Sequence, residues 1–128
     1  MKIEIKEITF DDVVTFLSDC ITQCPFIDVD VEKSKYEEYK TGEKYLGPEN
    51  VCFEDVLASI LMDNQPIYLK DSVDEAEYVL TLDKMKSGLS LLFDKKPQSF
   101  ARIIDETCDY EDYDNLLQYS LFNELVWG

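Results

Sequence analysis

Residues 66–95 change period partway. PIYLKD and AEYVLTL alternate apolar and polar side chains around the polar DSVDE. From Thr81 onward the apolar residues Leu82, Met85, Leu89, Leu92 and Phe93 recur every three or four positions. A period of two fits a strand with one buried side, and a period near 3.6 fits a helix with one buried stripe. The pattern predicts a hairpin over about 66–70 and 76–80, followed by a helix capped by Thr81. Gly88 in the middle of that helix costs about 1 kcal/mol against alanine, which predicts a close neighbour there. The fold class is therefore α+β, a small antiparallel sheet with helices packed on one face.

The flanking segments extend this plan. Lys2 to Ile8 alternates, with Ile3 and Ile5 on one side, and reads as a half-buried strand. In TFDDVVTFLSDCI, Thr9 can cap and Asp12 sits at the capping-box position, so a helix is expected over about 10–22. FIDVDV alternates like a short strand, and the rest of 26–50, mixed in charge and rich in tyrosine, predicts a long mobile loop. Asn50 is the expected cap of a helix carrying Phe53, Val56, Leu57, Ile60 and Leu61 in one stripe, stopped by Asn64 and Pro66. Pro97 opens a short helix, PQSFARIIDE. A last helix is expected over about 113–126, with Leu116, Leu117, Leu121, Leu125 and Val126 apolar. No internal repeat or low-complexity segment interrupts residues 1–128, which fit one domain.

Charge and cysteine content narrow the function. The chain has 128 residues, 28 of them acidic and 12 basic, for a net charge of −16. Such a chain repels phosphate backbones and anionic membranes, so a basic protein is the expected partner, with no direct nucleic-acid or membrane binding. MKIEIKEITF lacks the apolar core of a signal peptide, and no apolar run approaches a membrane span, so a cytoplasmic location is expected. Cys20, Cys24, Cys52 and Cys108 then read as reduced, mostly buried thiols.

Several chemistries are disfavoured by residue type and spacing. There is no histidine, which removes the commonest general base and every Ser–His or Cys–His pair. The four glycines are not grouped into a phosphate loop. An EF-hand frame starting at Asp105 meets Tyr110 where glycine is needed and Leu116 where glutamate is needed, and a frame from Asp109 puts Tyr113 at a ligand position. The cysteine spacing does not suit zinc. Glu4-Ile5-Lys6 resembles a nuclease carboxylate–lysine pattern but has no acidic partner on a neighbouring strand. Asp109 and Asp112 can be paired as in a glycosidase only with a sugar cleft that a chain this short hardly accommodates. The expectation is a non-catalytic protein with no cofactor and no metal.

DETCDYEDYD, residues 105–114, is the densest acidic run, with six carboxylates in ten residues. If helical, it places Asp105, Asp109 and Asp112 four and three residues apart on one face, with neighbours about 5–6 Å apart. With Glu106 and Glu111 for charge and Tyr110 and Tyr113 for flat contact area, that face would suit a basic protein. The competing explanation is a helix start, with Asp112 as N-cap and Asp114 in the first turn beside the helix dipole. It accounts for those two residues but not for Asp105, Glu106, Asp109 and Glu111. Secondary candidates are Asp71, Asp74 and Glu75 in the hairpin loop, and Tyr36 and Tyr39 beside Glu37 and Glu38, since exposed tyrosine is enriched at interfaces. Trp127 is expected as a lid on the sheet.

The order EYVLTLDKMKSGL, KPQSFARIIDE, the acidic run and LLQYSLFNELVWG resembles a group of small acidic proteins encoded by bacteriophages, prophages and conjugative elements of bacteria. In that group an LTL(D/E)K helix with a following glycine leads through a lysine–proline break and an acidic turn to a terminal helix. The matching residues are Leu80, Thr81, Leu82, Gly88, Leu117, Leu121 and Phe122. Asn123 stands where the group has glycine, and Trp127 where it has tyrosine. The resemblance implies a mobile element acting inside a bacterial host, and carries no activity with it. Three functions remain open at this point. The first is an inhibitor that presents a nucleic-acid-like acidic surface to a host nucleic-acid-binding or defence protein. The second is a binder of a small signal molecule, for which Lys84, Lys86, Lys95, Lys96 and Arg102 would have to converge. The third is a phage accessory protein.

Overall fold

The computed structural model describes residues 8–22 and 27–126. Thr9 caps α1 (Phe10–Phe16), its side chain accepting from the Asp12 N–H while Asp12 returns a bond to the Thr9 N–H, the reciprocal box anticipated from the sequence. The helix continues as a π-helical segment, Leu17–Thr22. β1 (Ile27–Asp30) follows, and then α2 (Lys33–Thr41), which replaces the expected loop. The apolar stripe that reveals most helices is weak in KSKYEEYKT, where only Tyr39 is buried. Lysine and glutamate are nevertheless good helix formers. The Tyr39 hydroxyl fixes the element by donating to Asp63 at 2.6 Å. The expected strand over 2–8 lies outside the described residues save for Ile8, which is buried.

α3 (Phe53–Met62) buries Val56, Leu57, Ile60 and Leu61, whereas Phe53 is 38% exposed. Its cap is Cys52 rather than Asn50: Cys52 and Asp55 bond each other's backbone N–H groups. Asn64 ends the helix at φ 59°, the left-handed region that asparagine tolerates. The hairpin lies where the alternation put it, as β2 (Ile67–Asp71) and β3 (Glu77–Leu80). α4 (Leu82–Lys95), capped by Thr81, α5 (Pro97–Ile104) and α6 (Tyr110–Phe122) complete the chain. α6 starts three residues earlier than the apolar pattern suggests and stops at Asn123, φ 62°, so Leu125 and Val126 fall beyond it and are exposed.

The three strands form an antiparallel sheet in the order β1-β2-β3. Ile27, Ile67, Leu69 and Leu80 point into the core, and the helices cover that side, as an α+β architecture requires. Leu17, Ile21, Leu57, Leu61, Leu92 and Leu117 fill the space between sheet and helices. α4 and α6 approach closely at Gly88, where a Cβ would lie 2.8 Å from the Cα and N of Ser120, the close neighbour that the glycine predicts. At the turn end of the β2–β3 ladder, the Asp71 N–H donates to the Ala76 carbonyl at 2.8 Å. Alternation along the ladder then turns the N–H and C=O of Val79 away from β2. The Val79 carbonyl accepts instead from Lys84 Nζ at 2.7 Å.

The thiols depart in part from expectation. Among the described residues Cys20 is buried and Cys108 half-buried, but Cys52 is exposed at its helix cap. Cys24 and Trp127 lie outside the described residues. No helix among the described residues is long and apolar enough to cross a membrane.

Candidate binding surface

The acidic run is not one helical face. Asp105 is the C-cap of α5, and its N–H donates to the Ala101 carbonyl at 2.9 Å. Glu106 takes a left-handed conformation, φ 58°, and the Thr107 N–H closes the turn on the Arg102 carbonyl at 2.9 Å. The chain then re-enters a helix with Asp109 as N-cap, its carboxylate accepting from the Asp112 N–H at 3.2 Å. Asp105 and Asp109 thus belong to different elements, and the i, i+4, i+7 alignment expected for Asp105, Asp109 and Asp112 does not form.

Asp112 faces inward, which corrects its place on the expected surface and also its role as N-cap. Its side chain is 1% exposed. It accepts from Arg102 Nε at 2.8 Å, Arg102 Nη2 at 2.7 Å, Ser99 Oγ at 2.5 Å and the Asp109 N–H at 3.2 Å. The Arg102 bonds hold its carboxyl well below the usual carboxylate range, outweighing the burial that opposes ionisation, with Ser99 and the Asp109 N–H adding to the effect. A two-pronged guanidinium–carboxylate pair fixes geometry as well as charge, so Asp112 clamps α5 to α6. Tyr113 is half-buried against the core. Burial, followed by side-chain hydrogen bonds with Cys108 and Asp19, pushes its phenol far up, and its carbonyl accepts from Cys20 Sγ at 3.5 Å.

The clamp leaves a different surface outside. Ile104 and Tyr110, 62% and 60% exposed, flank the turn between α5 and α6, and Asp105, Glu106, Asp109 and Glu111 are exposed around them. Among the described residues no basic side chain lies within ion-pair distance of those four carboxylates. Arg102, the base of α5, is engaged with Asp112. The sequence singles out Arg102 only as one of five basic residues for an anionic ligand, not as the partner of Asp112, and does not single out Ile104. The available signal was the spacing: Asp109 and Asp112 stand at N-cap and N3, a capping-box interval, and Ser99 and Arg102 lie three apart on the helix that precedes them.

The secondary candidates separate in the same way. Asp71 is buried, its carboxylate accepting from the Val73 N–H at 2.8 Å and the Asp74 N–H at 3.4 Å, so it builds the hairpin turn. Asp74 and Glu75 are exposed on that turn, with Glu75 at φ 62°. Tyr36 stacks at a tilt on Phe53, ring centroids 5.7 Å apart. Tyr39 is buried; desolvation and then its bond to Asp63 push its phenol up to about 12. A cleft of about 230 Å³ beside it is lined by Glu38, Tyr39, Gly42, Glu43 and Lys44, smaller than the 300–1,000 Å³ usual, in round numbers, for small-molecule sites. Of the five basic residues considered for an anionic ligand, Lys84 binds the Val79 carbonyl, Lys95 lies 3.8 Å from Asp94 and Arg102 serves Asp112. Among the described residues no group of three His, Cys, Asp or Glu side chains is placed to share a metal ion.

No protein-family model, curated protein or solved structure matches the chain.

Proposed function

We propose that this chain is a non-catalytic binding protein of a phage or other mobile element, which occupies the basic groove of a host nucleic-acid-binding or defence protein. The observation that carries the reading is the turn between α5 and α6. There Ile104 and Tyr110 are exposed among four carboxylates, none of which lies within ion-pair distance of a basic side chain of the described residues. Apolar anchors give contact area that charge by itself does not, and a negative rim steers a positive partner into place. A net charge of −16 extends the same field over the molecule.

The test is capture from nuclease-treated bacterial lysate, with elution by a salt step and identification by mass spectrometry. The triple variant Asp105→Asn, Glu106→Gln, Glu111→Gln is run beside the parent. It spares Asp109 and Asp112, which the fold needs. The reading expects a basic nucleic-acid-binding protein that elutes at moderate salt and is lost from the triple variant. Capture that is insensitive to salt, or equal on parent and variant, would contradict it.

A further inference from the structure

The sheet has a second side. Opposite the core, the register sets Asp30, Tyr68 and Val79 abreast across β1, β2 and β3, and Asp28, Lys70 and Glu77 abreast in the next row of that side. Asp28, Asp30, Tyr68, Glu77 and Val79 are all exposed. Tyr68 sits on the central strand with 49% of its surface in solvent, and Val79 beside it is 38% exposed. The wet side of an antiparallel sheet is ordinarily polar. This one carries an aromatic ring at its centre, an aliphatic neighbour, three carboxylates and one lysine. Lys70 stands between Asp28 and Glu77, and among the described residues Asp30 in the Tyr68 row has no ion-pair partner.

We propose that this open face docks an arginine-bearing segment of a protein partner. One guanidinium stacks on the Tyr68 ring and pairs with Asp30, while its aliphatic stem lies along Val79. Arginine suits the row better than lysine because its planar cation can stack on a ring and bond a carboxylate in the same pose. Charge complementarity selects a cationic occupant over a second copy of this chain, whose own acidic face would be repelled. The proposal goes beyond the one above, since its surface is built from β1–β3 and shares no residue with the α5–α6 turn.

The experiment is a titration of the full-length 15N-labelled protein with a peptide of about nine residues alternating arginine and valine, and with its lysine counterpart, at about 150 mM salt to screen diffuse attraction. Amide shifts are expected to concentrate in β1–β3, with the arginine peptide bound about tenfold more tightly than the lysine one. Tyr68→Ala should weaken the arginine peptide by about tenfold, and Tyr68→Phe should retain its affinity because the ring remains. Asp30→Asn should weaken it severalfold. Shifts confined to 104–111, with Tyr68→Ala binding like the parent, would overturn this proposal and leave the α5–α6 reading standing. Equal affinity for the two peptides, unmoved by Tyr68→Ala, would overturn it as well, because general charge attraction would then suffice.

Discussion

Gly88→Ala sets two general effects against each other. In an open helix face the substitution stabilises by about 1 kcal/mol, since alanine loses less backbone freedom on folding. Here the added methyl carbon would lie 2.8 Å from the Cα and N of Ser120. Those are backbone atoms of α6, so no rotamer change relieves the overlap, and α4 and α6 must move apart. Overpacking typically costs about 1–3 kcal/mol, and we take the upper end, about 3 kcal/mol, because backbone cannot yield by a rotamer change. The net is a loss of about 2 kcal/mol, which lowers Tm by about 8 °C for a chain of this size. Urea and thermal unfolding followed by circular dichroism would measure it. Ser120→Gly combined with Gly88→Ala should recover only part of the loss, since it removes the hydroxymethyl and leaves the backbone overlap. A Gly88→Ala protein as stable as the parent, or more stable, would refute the claim that this glycine is held by close helix contact.

The other expectations concern titration and capping. Asp112 has a folded pKa depressed below its unfolded value, so the stability it contributes is present above about pH 4 and is lost as pH falls through the acid range toward the folded value; urea midpoints between about pH 2 and 6 should slope less steeply in Asp112→Asn, which is also less stable at neutral pH. Tyr39 has a raised folded pKa, so its contribution is complete below about pH 10 and falls away as pH climbs through about 12; Tyr39→Phe should flatten that alkaline loss in the same assay. Asp109→Ala should cost about 1 kcal/mol by removing the α6 cap, whereas Asp105→Asn and Glu111→Gln should each stay within about 0.5 kcal/mol. Chemical denaturation of the three variants separates the carboxylate that builds the turn from those free to bind.

How much of this was legible in the sequence depended on whether a segment's fate is set locally. The hairpin, α4 with its Thr81 cap and the Thr9–Asp12 box were readable because alternation, periodicity and capping are short-range patterns. α2 was missed because its sequence has almost no apolar stripe, and it is secured by Tyr39 reaching Asp63, 24 residues on. The acidic run shows the same limit at a site. Composition marks residues 105–114 as unusual, but whether a given carboxylate faces solvent depended on Arg102 and Ser99 arriving from the preceding helix. One buried pair divided the run, taking Asp112 inward and leaving Asp105, Glu106, Asp109 and Glu111 outside. The exposed Ile104 escaped notice because it stands beside Ile103, and the sequence does not say which of two adjacent isoleucines turns outward.

The bond from Lys84 to the Val79 carbonyl bears on how copies of this protein meet at high concentration. An open strand edge offers alternate carbonyls and N–H groups, and any extended segment that finds them can extend the sheet into a fibre. On β3 one of those outward acceptors already holds an ammonium group, and Glu77 adds a like charge against a second copy of the same strand. A strand adding to this side would have to displace that ammonium group before it could use the Val79 carbonyl.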